Sequence, residues 1–183
     1  MLALIDRLEA GVEAFNRAVS FLLEWLCIGL LAILAVIVVA SVFWRYVLND
    51  AISWSEEVSK FLMVWMTFAA APIGLKKGAH VAVEMGINLT KGRLHQFLLL
   101  LIALAIIALM YVFMAEGWFL TQNARIQRAF TVDVSIFWVY VSMPVGSFFV
   151  ATVALEFLLD AVRGLIDPAL ARRQPSGQIL SAQ

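Results

Sequence analysis

The sequence predicts an all-α membrane protein with four transmembrane helices and an amphipathic N-terminal helix at the membrane interface. Hydrophobic residues make up 63% of the 183 residues and charged residues only 14%, whereas about a quarter of the residues in a soluble domain are charged. The mean hydropathy is +0.94, and four charge-free stretches divide the chain. We therefore expect a single four-helix membrane domain over residues 1–183.

The four charge-free stretches are residues 25–44, 61–75, 97–115 and 134–155. A helix needs about 20 residues to cross about 30 Å of hydrocarbon, and the second stretch is too short by itself. Its helix is predicted to continue backwards through Lys60, whose ammonium group can reach the interface on its apolar stem. The predicted spans are about 22–45, 54–75, 95–118 and 134–158.

The N-terminal residues 2–20 have an amphipathic pattern, with apolar residues on one helical face and charged residues on the other. The apolar face carries Leu8, Val12, Phe15 and Val19. This pattern predicts a helix lying along the cytoplasmic interface; the alternative is an extension of the first spanning helix. The C-terminal residues 168–183 are predicted to form a flexible cytoplasmic tail because they are polar and lack periodicity.

Lysine and arginine residues are distributed unequally between the two sides of the predicted membrane domain. Nine fall in the N-terminal segment, the loop after the second helix and the C-terminal segment, and four fall in the other two loops. Because cytoplasmic loops carry the excess of basic residues, both termini are predicted to be cytoplasmic, and the protein is expected in the inner membrane of a bacterium.

The stretch "SWSEEVSK" begins the second predicted helix and contains two adjacent glutamates. Ser53 and Glu56 have the S-x-x-E spacing of a capping box, in which each side chain accepts a hydrogen bond from the other residue's backbone N–H. Glu56 also lies four residues before Lys60, the favourable order for a helical ion pair. We therefore interpret Ser53 and Glu56 as a helix cap.

Glu57 instead lies on a bulky face of the same helix, because helical spacing aligns it with four aromatic residues. These are Trp54, Phe61, Trp65 and Phe68. This face is a candidate contact with a partner subunit or with lipid; packing inside the bundle is the alternative. Glu57 and the basic residues Arg45, Arg125 and Arg128 form a candidate docking surface, or Arg45 and Glu57 form a salt bridge between the first two helices.

Several function classes find little support in the residues. The net charge is zero, which gives no reason to expect a nucleic-acid partner, and one cysteine cannot build a disulfide. No cofactor or metal site is expected, and no nucleophile lies beside a base with an orienting carboxylate, so an enzyme is not expected. The acidic residues Glu24, Glu116 and Glu156 fall near helix ends rather than at mid-membrane, where an ion pathway would need them.

The sequence "RYVLNDAISWSEEVSKFLMVWMTFAAAPIGLKKGAHVAVEM" resembles the signature of the DctQ-type small membrane subunit of tripartite ATP-independent periplasmic (TRAP) transporters. The motif positions are Arg45, Trp54, Glu56, Glu57, Trp65 and His80. The later stretch "FWVYVSMPVG" resembles the family more weakly. One departure is the turn "FTVDVSIF", which lacks the prolines usual in the family, so the family's shape of that turn is not carried over.

The resemblance implies a division of labour. A soluble periplasmic protein would capture an organic acid, such as a dicarboxylate or sialic acid, and a large multi-spanning subunit would carry it with sodium ions by an elevator motion. The chain would scaffold the large subunit, contact lipid and help to dock the binding protein. The alternative is an autonomous four-helix multidrug or proton antiporter, and an anchor of a respiratory complex would need buried histidines at matched depths.

Overall fold

The computed structural model describes residues 2–78 and 93–166, and its long elements are helices. The helices are α1 (Leu2–Val47), α2 (Ser55–Lys76), α3 (Arg93–Asn123), α4 (Phe137–Tyr140) and α5 (Ser142–Ile166), with a 3₁₀ turn at Ala124–Ile126. Four segments are long and apolar enough to cross a membrane, namely Ala10–Val47, Ser55–Lys76, Phe97–Ile126 and Phe137–Leu165. The predicted all-α membrane fold is thus confirmed. His80 and the predicted tail lie outside the described residues.

The structure does not show the predicted N-terminal interfacial helix as a separate element. Helix α1 runs without a break from Leu2 to Val47, as the alternative interpretation required. The physical reason is Asn16, which is only 1% exposed. Its Nδ2 donates to the Thr152 carbonyl at 3.0 Å and to Glu156 Oε2 at 2.8 Å. These hydrogen bonds hold the first part of α1 against α5.

Two ion pairs join α1 to α2 at opposite ends of the spanning region. Arg45 contacts Glu56 at 2.7 Å, and Lys77 contacts Glu24 at 2.7 Å. On each helix the two charged residues are 21 positions apart, which corresponds to about 31 Å along a helix and matches the thickness of the hydrocarbon core. We call the end at Arg45 and Glu56 the hairpin end, because residues 127–136 form a short hairpin there that contacts Glu57. We call the end at Glu24 and Lys77 the lysine end.

Helix α5 occupies the centre of the bundle and contacts α1, α2 and α3. The buried cluster joins Leu75 of α2 to Val150, Val153 and Ala154 of α5, and residues of α3 such as Ile107 pack against it. Small and β-branched side chains at these positions allow close approach of helices in a membrane, where packing contributes more than hydrophobic exclusion.

The closest approach of α2 and α5 is at Gly146. A Cβ atom on Gly146 would lie 2.7 Å from Phe68 Cβ and 2.8 Å from the Phe68 carbonyl oxygen. Pro72, four residues after Phe68 and inside α2, has no N–H to donate to that carbonyl. The Phe68 carbonyl, against which Gly146 packs, therefore lacks the backbone N–H that would donate to it in a regular helix.

The fourth membrane segment is interrupted at Val141, between α4 and α5. Pro144 explains the interruption, because its ring would clash with the carbonyl of Tyr140 in a regular helix. The segment begins at Phe137 rather than at Val134, since Val134 accepts and donates hydrogen bonds in the preceding turn.

We expect replacement of Gly146 by alanine to destabilise the bundle by about 1–3 kcal/mol, because the added methyl group would overlap Phe68. Gly29→Ala is the matched control, since a Cβ there meets nothing within 4 Å. Thermal unfolding in detergent measures both variants. Equal melting temperatures for the two variants would contradict the close approach.

We expect Asn16→Ala to lower the free energy of unfolding by about 1–3 kcal/mol, because it removes two hydrogen bonds made by a buried side chain. Arg17→Ala should change it by less than about 1 kcal/mol, since Arg17 only pairs with Glu13 on the exposed face of α1. Denaturant titration in detergent measures both effects. A neutral Asn16→Ala variant would contradict the role of these hydrogen bonds in holding α1 against α5.

Candidate functional site

Residues 127–136 fold into a short antiparallel hairpin between the 3₁₀ turn and α4. The Ala129 N–H donates to the Val134 carbonyl at 3.0 Å. At its base, the Ser135 hydroxyl donates to the Arg125 carbonyl at 3.2 Å and accepts from the Phe137 N–H at 3.3 Å. Both ends of the hairpin are therefore fixed to the helices on either side.

Glu57 holds the tip of this hairpin. One carboxylate oxygen accepts from the Phe130 N–H at 2.9 Å, and the other accepts from the Thr131 N–H at 2.8 Å and from the Thr131 hydroxyl. Glu57 lies in the first turn of α2, so these bonds tie the α3–α4 connection to the start of α2. The carboxylate supplies the acceptors that two adjacent tip N–H groups need.

The predicted salt bridge between Arg45 and Glu57 is wrong in its acidic partner. Arg45 Nη2 donates to Glu56 Oε1 at 2.7 Å, while both oxygens of Glu57 accept from the hairpin. An ion pair therefore joins the first two helices, as we expected if these residues did not form a docking surface. The glutamate in that pair is Glu56 and not Glu57.

The predicted cap of Ser53 and Glu56 is also wrong. The residue at the N-cap position of α2 is Trp54, which makes no side-chain cap hydrogen bond. The helix begins at Ser55, whose buried hydroxyl donates to the Ile52 carbonyl at 2.8 Å. Ser53 lies outside the helix by two residues, and Glu56 faces Arg45, so the capping-box geometry does not form.

Arg125 and Arg128 lie close to each other at the hairpin end, each with a partner inside the chain. The Arg125 guanidinium lies 5.2 Å from the centre of the Phe137 ring, a distance at which a cation and an aromatic face attract. Arg128 pairs with Asp133 across the hairpin, and this hydrogen bond raises the pKa of Arg128 further above its ordinary value. Both groups of the Arg128–Asp133 pair remain largely exposed.

The aromatic stripe of α2 faces mainly inward. Trp65 Nε1 donates to the Trp138 carbonyl at 3.0 Å, and Phe68 packs against Gly146. These two residues therefore make contacts inside the chain, as the packing alternative expected, while both remain partly exposed. Phe61 and Glu57 are partly buried, and Trp54 is 43% exposed. An outer contact thus stays a prediction for Trp54.

Sequence reasoning missed two exposed apolar residues at the hairpin end. Phe130 is 100% exposed at the tip of the hairpin, and Ile126 is 91% exposed in the 3₁₀ turn beneath it. The signal available in the sequence was an isolated aromatic residue between polar ones, in "RAFTVD". That signal does not reveal that Glu57 orders the backbone on which Phe130 is carried.

The ionisable side chains of the described spans lie towards the helix ends. Glu24 pairs with Lys77 at the lysine end, where Lys76 also contacts Glu156 at 3.5 Å. Thr67, nearer the middle of α2, donates to the Met63 carbonyl of its own helix at 2.8 Å. These features define the chain as a helical membrane subunit whose polar groups order its two ends.

Comparison with known proteins gives the family. The profile described as "Tripartite ATP-independent periplasmic transporters, DctQ component" matches residues 34–164, which is more than half of the chain. The protein belongs to this family of TRAP small permease subunits. It is a subunit of a transporter that also has a large permease component, and not an enzyme.

Individual relatives agree with this assignment. The chain is 22% identical to the sialic acid TRAP transporter small permease protein SiaQ of Vibrio cholerae over 85% of this chain and 90% of SiaQ. It is 27% identical to the C4-dicarboxylate TRAP transporter small permease protein DctQ of the same organism over 55% of this chain. In that second case the chain spans only 46% of the relative's length.

A third relative is much longer than this chain. The sialic acid TRAP transporter permease protein SiaT of Haemophilus influenzae is 24% identical over 70% of this chain, and the match covers 21% of SiaT. A sequence of this type therefore also occurs as a minor part of a larger permease protein, which is consistent with a large permease partner.

We expect Glu57→Gln to loosen the hairpin, because an amide offers one acceptor oxygen where the carboxylate offers two. Hydrogen exchange at the Phe130 and Thr131 amides should accelerate at least severalfold. Glu56→Gln is the matched control: it removes the Arg45 pair and should leave exchange in the hairpin unchanged. Unchanged protection in Glu57→Gln would contradict the role of Glu57 in ordering the tip.

Proposed function

We propose that this subunit scaffolds the large permease and uses its hairpin end to dock a periplasmic substrate-binding protein, within a sodium-coupled transporter of organic acids. Both termini are assigned to the cytoplasmic side and the hairpin to the periplasmic side, in agreement with the excess of lysine and arginine outside the hairpin end. The large permease performs the elevator movement and carries substrate, while this chain stays fixed.

The observation that carries the docking proposal is the fixation of the hairpin tip by Glu57. Two backbone N–H groups and one hydroxyl bind the carboxylate, and Phe130 is fully exposed beside them. An exposed aromatic residue on an ordered backbone is well suited to an interface, because little conformational entropy is lost when it is buried. The exposed Arg128–Asp133 pair lies on the same hairpin and adds polar groups at its rim.

The scaffold proposal is supported by the anchoring of the bundle at the hairpin end. Trp44, Trp118 and Trp138 are 41%, 52% and 62% exposed on its outer surface, as expected of tryptophans that sit at a membrane interface. Helix α1 exposes apolar side chains along the spanning region, which leaves a long surface for the large permease or for lipid between the two subunits.

The substrate class follows only from the relatives. Their names give sialic acid for SiaQ and SiaT and C4-dicarboxylate for DctQ, and all of these compounds carry carboxylates. We assign an organic acid to the transporter as a whole. We assign the choice among acids to the binding protein and the large permease. In this chain Glu24 and Glu156 pair with Lys77 and Lys76 at the lysine end.

Co-expression with the large permease tests the proposal. We expect a stable one-to-one complex in detergent that transports in proteoliposomes only with the binding protein and a sodium gradient. Uptake by this chain alone would overturn the proposal in favour of an autonomous antiporter, and Glu24, Glu116 and Glu156 would then be the first candidates for an ion site. Failure of the two subunits to co-purify would contradict the scaffold role.

We expect Phe130→Ser to raise the concentration of binding protein needed for half-maximal uptake by about fivefold or more, the effect of losing an interface residue worth at least 1 kcal/mol. Phe130→Leu, which keeps an apolar side chain, is the matched control and should be affected less. Glu57→Gln should weaken transport in the same way. Neither variant should change the order of substrate preference.

Two results would contradict the docking role of the hairpin. One is a changed substrate preference in Phe130→Ser or Glu57→Gln, which would place these residues on the substrate's path. The other is an unchanged dependence on binding protein in Phe130→Ser, which would indicate that Phe130 inserts into the lipid interface instead.

A further inference from the structure

A cavity of about 310 Å³ lies between α1 and α2 at the lysine end of the bundle. Its lining includes three basic residues, Arg17, Lys76 and Lys77, and one carboxylate, Glu24. The apolar side chains of Phe21 and Ile73 and the Ser20 hydroxyl complete it. We call it the α1–α2 cavity. Each of its three cations also contacts a carboxylate, Glu13, Glu156 or Glu24, so the six groups together carry no formal net charge.

The cations of the cavity keep donors for a further ligand. Lys77 contacts Glu24 at 2.7 Å, and Arg17 contacts Glu13 at 3.0 Å. An ammonium group has three N–H donors and a guanidinium group has five. A contact with one carboxylate oxygen uses one of these donors and leaves the others for a ligand. Lys76 is 3.5 Å from Glu156, longer than an ordinary N–H···O hydrogen bond. Glu13 and Glu156 contact Arg17 and Lys76 from outside the lining. The side chains of Arg17 and Lys77 are 76% and 65% exposed, against 25% and 38% for Glu13 and Glu24, so the cations are the groups most open to a ligand.

An exposed apolar surface on α1 adjoins the cavity and extends from it towards the middle of the spanning region. Phe21 of its lining and Trp25 one turn further along α1 are each 60% exposed, and their rings meet edge to face at 6.3 Å between centroids. The pair of Glu24 and Lys77 marks the membrane surface at this end, so Trp25 lies on the hydrocarbon side of it. Charged donors are therefore followed directly by an exposed aromatic surface.

We infer that the α1–α2 cavity binds the phosphate group of an anionic phospholipid, with the glycerol part of the lipid against Phe21 and an acyl chain lying along Trp25. Basic pockets between transmembrane helices at the cytoplasmic side bind the headgroups of anionic lipids. A free phosphate ion offers the same charged oxygens, but it would leave the aromatic surface uncovered. The lipid accounts for both parts of the site, and this inference goes beyond the proposed transport function.

Lipid titration of the full-length, delipidated protein tests the inference, with native mass spectrometry counting bound lipids and thermal unfolding measuring their effect. We expect phosphatidylglycerol to bind with a one-to-one component and to raise the melting temperature. Phosphatidylcholine, which is zwitterionic, and inorganic phosphate should do neither at matched concentration. An equal shift with phosphatidylcholine would overturn the assignment to anionic lipid, and an equal shift with inorganic phosphate would overturn the assignment to a lipid.

The variant Arg17→Gln/Lys77→Gln locates the site. A cation near the membrane surface contributes about 1 kcal/mol to the binding of anionic lipid, so the loss of two should weaken phosphatidylglycerol binding by roughly 25-fold. The control Lys60→Gln/Arg128→Gln removes the same charge at the hairpin end, where both residues are exposed and Arg128 pairs only within its own loop among the contacts given for it, and should bind normally. Equal weakening in both variants would indicate general charge attraction and overturn the site.

A milder variant protects the test against misfolding. The side chain of Arg17 is 76% exposed and pairs only with Glu13 among the contacts the structure gives it, so Arg17→Gln should fold normally. We expect it to weaken phosphatidylglycerol binding by roughly fivefold. Unchanged affinity in a folded Arg17→Gln variant would remove Arg17 from the site and contradict the inference.

Discussion

The arrangement of the bundle depends on polar contacts that attach α1 to the other helices. In its most apolar window α1 has no buried residue, and apolar contact between helices has no hydrophobic driving force inside lipid. The contacts between charged or polar groups are Arg45 with Glu56, Glu24 with Lys77, and Asn16 with Thr152 and Glu156. An exposed ion pair contributes at most about 1 kcal/mol, so the two pairs define position and register more than stability.

These two ion pairs also bracket an interval of α1 and α2 that is as long as a hydrocarbon core is thick. Their spacing of 21 residues on both helices equals the thickness of the hydrocarbon core to within about one helical residue. The hairpin with Glu57 lies at one end of this interval, and the α1–α2 cavity lies at the other. Each end therefore has a distinct surface: an ordered hairpin with the exposed Phe130 at one, and a cavity with three basic residues in its lining at the other.

Helix α5 supplies the packing that the ion pairs cannot supply. It is the element that α1, α2 and α3 all contact, and its approach to α2 depends on glycine at position 146. Proline residues set the geometry on both sides: Pro72 removes the helical partner of the Phe68 carbonyl, and Pro144 accounts for the break at Val141. Near this break the Trp138 carbonyl accepts a hydrogen bond from the Trp65 indole at 3.0 Å, which orients that tryptophan.

The sequence by itself determined the number of spans, the membrane class and the family resemblance, because these follow from hydropathy along the chain and from a local motif. It did not determine which glutamate binds which partner. Glu56 and Glu57 are neighbours, but they point about 100° apart on a helix, and only the position of α1 and of the hairpin decides that Glu56 meets Arg45 and Glu57 meets Phe130 and Thr131. Likewise, the amphipathic pattern of residues 2–20 could not distinguish a helix on the membrane from an extended α1, since the distinction depends on the contact of Asn16 with residues 136 and 140 positions away. Patterns within one helix are written in the local sequence, whereas pairings between helices are set by tertiary structure, which brings together groups that are distant in the chain.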